Sequence, residues 1–229
     1  MRAVRFLVVA LLCALPVALS AAEWKEYTIQ QDFFTAVFPE EPKVEEITWT
    51  SEYGVDYPGR VYTAMDGTSK FTVTVVNMAD AQQRHLDKAR NSNIFDQGQG
   101  AYYQLDIMSS MQYVATQYRR REGAKVTEDA FHYIDLVAGH QLHLINADQS
   151  MTHVAIYLHK NRLYVMDGTV PKGRPAPAVF TESLGWVDEK GQRVRYRSIT
   201  HNELPTPLPN TGRGGQGQGG QQQAPGTQY

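Results

Sequence analysis

The 229-residue chain carries 22 lysines and arginines against 24 aspartates and glutamates, a net charge of −2, with a single cysteine. That balance leaves no basic surplus for nucleic acid, and one cysteine excludes a disulfide framework or a cysteine-rich metal centre. The length suits one domain with a buried core.

The chain begins MRAVRFLVVALLCALPVALSAAEWKEY. Arg2 and Arg5 form a positive start, 6–15 is an apolar core, and Pro16 with small residues follows up to Ala22. This is the layout of a cleaved export signal over 1–22, with Ser20 and Ala22 at the cleavage site. A spanning helix needs about 20 apolar residues, and Pro16 interrupts this run early. A lipid anchor at Cys13 fits poorly, because Leu12 is large and the apolar run before it is short. Cleavage removes Cys13, so the mature chain has no thiol nucleophile and no cysteine ligand. It also leaves 20 basic residues against 24 acidic, a net charge of −4.

The predicted domain, 23–204, opens with short aromatic and β-branched strands at 25–29, 33–38 and 43–50. A hairpin follows, 60–65 and 70–77, turning at Asp66-Gly67, where both residues tolerate positive φ. A helix at 79–93 is polar nearly all round. The next segment changes period: Tyr103, Ile107, Met111, Val114 and Tyr118 fall on one helical face, widened by Met108 and Ala115. Arg119-Arg120-Arg121 suit the negative end of that helix, and Gly123 can close its last turn. Strands return at 126–135, 136–146, 151–159 and 162–169. Pro171, Pro175 and Pro177 break the pattern, and 178–184 reads as a short helix. Trp186-Val187, a turn at 188–191 and a last strand at 193–198 complete the domain. The order predicts an α+β fold, an antiparallel β-sheet meander packed against one long amphipathic helix. From Pro205 to Tyr229 the chain is Pro-, Gly- and Gln-rich, and it predicts a disordered tail.

The start "FTAVFPEEP", the β-rich stretch, the single long helix, the meander and the ending "FTESLGWVDEKGQRVRY" together resemble the PsbP-like superfamily of small exported or lumenal α/β-sandwich proteins. The resemblance spans most of 24–198, and its motifs describe strand ends and turns. It implies a fold and an accessory class of role, and it carries over no catalytic residue.

The stretch GHQLHLINADQSMTHVAIYLH, 139–159, holds four of the seven histidines. With 147–150 as the turn, Asn146 faces Met151, His140 faces Tyr157 and His143 faces Val154. His140 and His143 are three apart on a strand and point to opposite faces. His140 and His159 become diagonal neighbours on one face, with Cα atoms about 7–8 Å apart. A turn at Lys160-Asn161 puts Arg162 beside them, which opposes a divalent cation. Tyr157 and Tyr164 are the expected neighbours, and a zinc site needs further ligands. No metal and no cofactor is therefore expected. No Gly-x-Ser-x-Gly, P-loop or dinucleotide glycine pattern occurs.

Arg193, Arg195 and Arg197 alternate with Val194 and Tyr196, a basic stripe on the last strand. It is a candidate interaction patch for an anionic envelope polymer. The plainer reading is charge that guards an edge strand. The sequence thus points to a non-enzymatic accessory or binding protein of a bacterial cell envelope, exported to the periplasm or beyond and not membrane-spanning after cleavage. An envelope protein or an anionic envelope polymer is its expected partner. The alternative is a hydrolase or metal-dependent enzyme using a His140/His159 face. A polar pocket would favour the enzyme. An exposed apolar or basic patch would favour binding.

Overall fold

The computed structural model describes residues 23–91 and 99–204. The predicted signal at 1–22, the last residues of the predicted helix at 79–93 and the predicted tail from Pro205 lie outside them. The strands are β1 (Lys25–Ile29), β2 (Phe34–Phe38), β3 (Lys43–Thr50), β4 (Asp56–Asp66), β5 (Ser69–Asn77), β6 (Lys125–Ile134), β7 (Val137–Ile145), β8 (Met151–His159), β9 (Arg162–Val170), β10 (Gly185–Val187) and β11 (Arg193–Val194). The helices are α1 (Ala81–Asn91), α2 (Gln99–Arg119) and α3 (Ala178–Thr181). None of them is long and apolar enough to cross a membrane.

The fold is α+β with antiparallel sheets, as expected, but it is dominated by strands. Seven strands pair in the order β3-β4-β5-β9-β8-β7-β6, and four more in the order β1-β2-β10-β11. The expected single meander under one helix is therefore incomplete. The first and last pieces of the domain pair with each other, Phe34 opposite Trp186 and Thr35 opposite Gly185. This small sheet packs Phe34, Ala36, Phe38 and Trp186 onto Tyr62, Val73, Val75, Tyr157 and Tyr164 of the large sheet. On the other face, Ala81 of α1 and Tyr103, Ile107, Val114 and Ala115 of α2 cover Val76, Leu142, Leu144, Val154, Ile156 and Val165. Central strands are thus buried on both faces, and β8 is buried at every position but its first. Strands of that kind lose the in-out alternation that one-sided cover would give.

Local signals agree with the structure where they are strong. Gly67 takes φ 60° and Asp66 pairs with Ser69 across the turn. Gly123 takes φ 70° just past α2, the left-handed step that ends a helix. Tyr103, Ile107 and Val114 are buried as the stripe predicts, but Met108 is 60% exposed.

The predicted last strand, 193–198, shrinks to the two residues of β11. Beyond it the chain acts as a strap. Thr200 forms a parallel bridge to Val137, donating its N–H to the Leu136 carbonyl and accepting from the Ala138 N–H. Asn202 then accepts the Asn161 N–H through Oδ1 at 2.7 Å. Two glycines mark close approaches. A Cβ on Gly139 would run into the Tyr157 ring, and one on Gly185 into the Arg193 guanidinium.

Candidate functional site

The histidine-rich hairpin is offset by one residue from the predicted register. Ile145 pairs with Met151, so His143 faces His153 and His140 faces Ile156. The reason is Asn146, which belongs to the turn and not to the ladder. Its N–H donates to the Ser150 carbonyl, and its side chain donates to Ser150 Oγ at 2.9 Å and Thr152 Oγ1 at 2.8 Å. Asp148 Oδ1 accepts from Ser150 N and Oγ, and Gln149 takes φ 67°. These local side-chain bonds fix a loop longer by one residue. A slip of one residue moves every side chain on the strand to the other face relative to its partner.

His140 and His159 therefore do not meet. His140 lies under α2: its Nε2 donates to Asp129 Oδ1 at 2.6 Å and lies 3.0 Å from Arg119 Nη2. Arg119 grips both oxygens of Asp129. Its guanidinium, aided by His140, holds the Asp129 carboxyl down at about 2 against burial. His159 lies on the opposite face against Trp186, ring centroids 4.3 Å apart, and shares a 2.7 Å hydrogen bond with the Tyr196 hydroxyl. The expected neighbour Arg162 is directly opposite it. An enzyme built on a His140/His159 face has no common face to use.

The register brings together a different pair. His143 and His153 stack with ring centroids 3.5 Å apart and planes 10° from parallel. His143 Nδ1 lies 2.9 Å from Glu128 Oε2. Nearby, the Tyr157 hydroxyl, 2.7 Å from His132 Nδ1, donates to it across Gly139, and His132 Nε2 lies 3.2 Å from Glu182. Burial raises the Tyr157 pKa, so the phenol keeps the proton it donates. These histidines tie β6, β7, β8 and the residue after α3 together. Among the described residues no group of three or more His, Cys, Asp or Glu is placed to hold a metal ion. Calorimetric titration of the mature protein with zinc at neutral pH should give only weak binding, unaltered by His140→Ala or His159→Ala. Tight stoichiometric binding lost in His143→Ala or His153→Ala would reverse that expectation.

A second polar cluster lies outside every residue the sequence singled out as a site. Asp106 of α2 is 1% exposed. Its Oδ2 accepts from Ser51 Oγ at 2.8 Å, the Tyr57 hydroxyl at 2.9 Å and His85 Nε2 at 2.9 Å, while Oδ1 is buried without a partner. Burial, with Asp106 beside it, raises the Tyr57 pKa. The cluster joins α1, α2 and the β3–β4 connection. It is sealed from solvent, so its work is structural.

The arginine stripe is largely neutralised. Arg193 Nη1 lies on Glu26 Oε1 and Thr35 Oγ1, and its Nη2 is 3.3 Å from Asp135. Arg195 is 3.5 Å from Asp135, and Arg197 is exposed. Since β11 covers only two residues at the edge of the small sheet, the three arginines do not form one basic face. A cleft of about 420 Å³ lies beside Gly59 and is lined by Asp32, Glu46, Asp56, Arg60 and Arg84. Its arginines are also engaged, Arg60 with Asp32 at 2.9 Å and Arg84 with both oxygens of Asp80.

The open feature is apolar. β6 is an edge of the large sheet. Phe131 on it is 83% exposed and Tyr133 49%. Both share the face of His140, since Phe131 pairs with it in the ladder and touches its ring edge-on. On α2, Leu105 and Met108 fall on the stripe of Gln112 and Arg119, and Arg119 reaches Asp129 of β6. Leu105 is 48% exposed and Met108 60%. Phe131 and Tyr133 therefore line the open flank of the β6 edge, beside the C-terminal end of α2.

No family model matches the chain, and no curated protein matches it. Among solved structures it is similar to the solution structure of cyanobacterial PsbP from Synechocystis sp. PCC 6803. The identity is 11%, with 74% of this chain and 95% of that chain covered and a TM-score of 0.41. The likeness is the loose, fold-level one that the order of elements implied.

Proposed function

We propose that the protein is a non-enzymatic accessory protein of a bacterial cell envelope, exported and freed of its leader, that docks a protein partner along the flank between α2 and β6. The observation that supports this reading is the pair Phe131 and Tyr133, exposed on a strand edge that is unpaired among the described residues. Exposed apolar groups gathered at one place mark association surfaces, and an open edge offers backbone donors and acceptors to an added strand. An envelope protein suits this flank better than an anionic polymer, because Arg193 and Arg195 already face carboxylates. A photoreactive residue at Tyr133 should crosslink a defined product in cells, and Phe131→Glu should abolish it without changing secondary structure. An undiminished product in Phe131→Glu would remove this flank as the docking surface.

A further inference from the structure

We infer that the first occupant of this flank is a second copy of the chain, paired antiparallel through β6 about a two-fold axis at Ala130. The inference rests on the docking surface proposed above and names what fills it.

The two edges of the large sheet differ. β3 carries Lys43, Glu45 and Glu46, all exposed, the charge that keeps an edge from pairing. In β6 the charge is confined to the first half, Lys125, Glu128 and Asp129, and the second half reads Ala130-Phe131-His132-Tyr133-Ile134. A strand with an acidic half and an aromatic, imidazole-bearing half is complementary to itself when reversed. A two-fold axis normal to the sheet preserves its faces, so only registers joining residues of the same face are allowed.

Charge decides among them. An axis at Asp129 sets the two Asp129 carboxylates opposite each other, and like charges there are destabilising. An axis at His132 sets Asp129 against Asp135 of the second copy. An axis at Phe131 leaves Glu128 facing Ile134. With the axis at Ala130, Glu128, which also pairs with His143, faces His132 of the second copy, twice over, and no like charges meet. Phe131 then faces Asp129 of the second copy, whose carboxylate carries the Arg119 guanidinium. That sets each exposed ring beside the Arg119–Asp129 ion pair of the second copy. The residue on the axis is small, and Ala130 is only partly exposed.

The register has a direct test. Facing Cα atoms in an antiparallel pair are about 4.5–5.5 Å apart, within reach of a disulfide. In a Cys13→Ser background, Ala130→Cys in the exported full chain should form a covalent dimer under mild oxidation. Glu45→Cys on the β3 edge should not. Sedimentation equilibrium of the protein without added cysteine should show a monomer–dimer equilibrium, with Phe131→Glu raising the dissociation constant at least ~100-fold, as loss of a central aromatic anchor does. The inference is overturned if the chain stays monomeric at the highest concentration that sedimentation can follow, and Ala130→Cys crosslinks no faster than Glu45→Cys. If that monomer still gives the Tyr133 crosslink to another protein, the docking flank stands and only its occupant is wrong. If neither association nor crosslinking responds to Phe131→Glu, both fall.

Discussion

Acidification from pH 7 to pH 4 should remove roughly 6 kcal/mol of folding stability, about 3 from each of two histidines. Burial lowers the His153 pKa to about 4, with His143 adding to it. Burial also lowers that of His159 to about 4, aided by Lys160 and Arg162. Both rings are therefore neutral in the folded protein where an unfolded chain would bind protons. The stability they contribute is fully present above pH 6.5 and is lost as the pH falls from there to about 4. Asp129 acts in the same direction only below the ordinary carboxylate range, since its folded pKa is about 2. The window between 6.5 and 4 thus belongs to the histidines. Small domains hold only about 5–15 kcal/mol in total, so the protein should be near unfolding at pH 4. Urea midpoints measured at half-unit steps would show the fall. His159→Gln, which keeps a donor for Tyr196, and His153→Asn should each flatten the slope by about 1.4 kcal/mol per pH unit near pH 5. A midpoint constant from pH 7 to 4.5 would mean that both rings are hydrated.

Removing the Asp106 carboxylate should cost about 3–5 kcal/mol, because the variant leaves buried donors facing nothing. In Asp106→Ala the hydroxyls of Ser51 and Tyr57 and the His85 ring lose their common acceptor. The thermal midpoint should fall by roughly 10 °C or more for a domain of this size. Asp106→Asn should recover part of the loss, since its amide oxygen still accepts. A loss below about 1 kcal/mol, the net worth of one ordinary hydrogen bond, would show that water replaces the carboxylate.

What is readable in the sequence is local. Asp66-Gly67 announces its turn, and Tyr103, Ile107 and Val114 announce the buried face of α2. The small sheet cannot be read this way, because its central pair, β2 and β10, joins Phe34 to Trp186 across most of the chain and no short-range signal links them. The register of the histidine hairpin turns on whether Asn146 pairs or folds into the turn. Asn, Asp and Ser side chains decide that by bonding to their neighbours, and strand periodicity is blind to it. Asp106 does leave a trace, an acidic residue set between Leu105 and Ile107 at the margin of the apolar stripe. Its partners Ser51, Tyr57 and His85 leave none. Phe131 and Tyr133 alternate as a half-buried strand should. Only the strand order reveals that β6 is an edge and that their face lies open beside α2.

The pairing of β2 with β10, and the insertion of Thr200 beside Val137, also set the timing of folding. A chain delivered N-terminus first presents Phe34 and Phe38 long before Trp186 arrives to cover them. The small sheet cannot close until nearly the whole domain has emerged, and the strap can seat only after that. Contacts between such distant residues form slowly, and until they form the aromatic face of β2 stays open to misassociation. The consequence is a domain whose small sheet closes last, after the large sheet that it covers can already have paired.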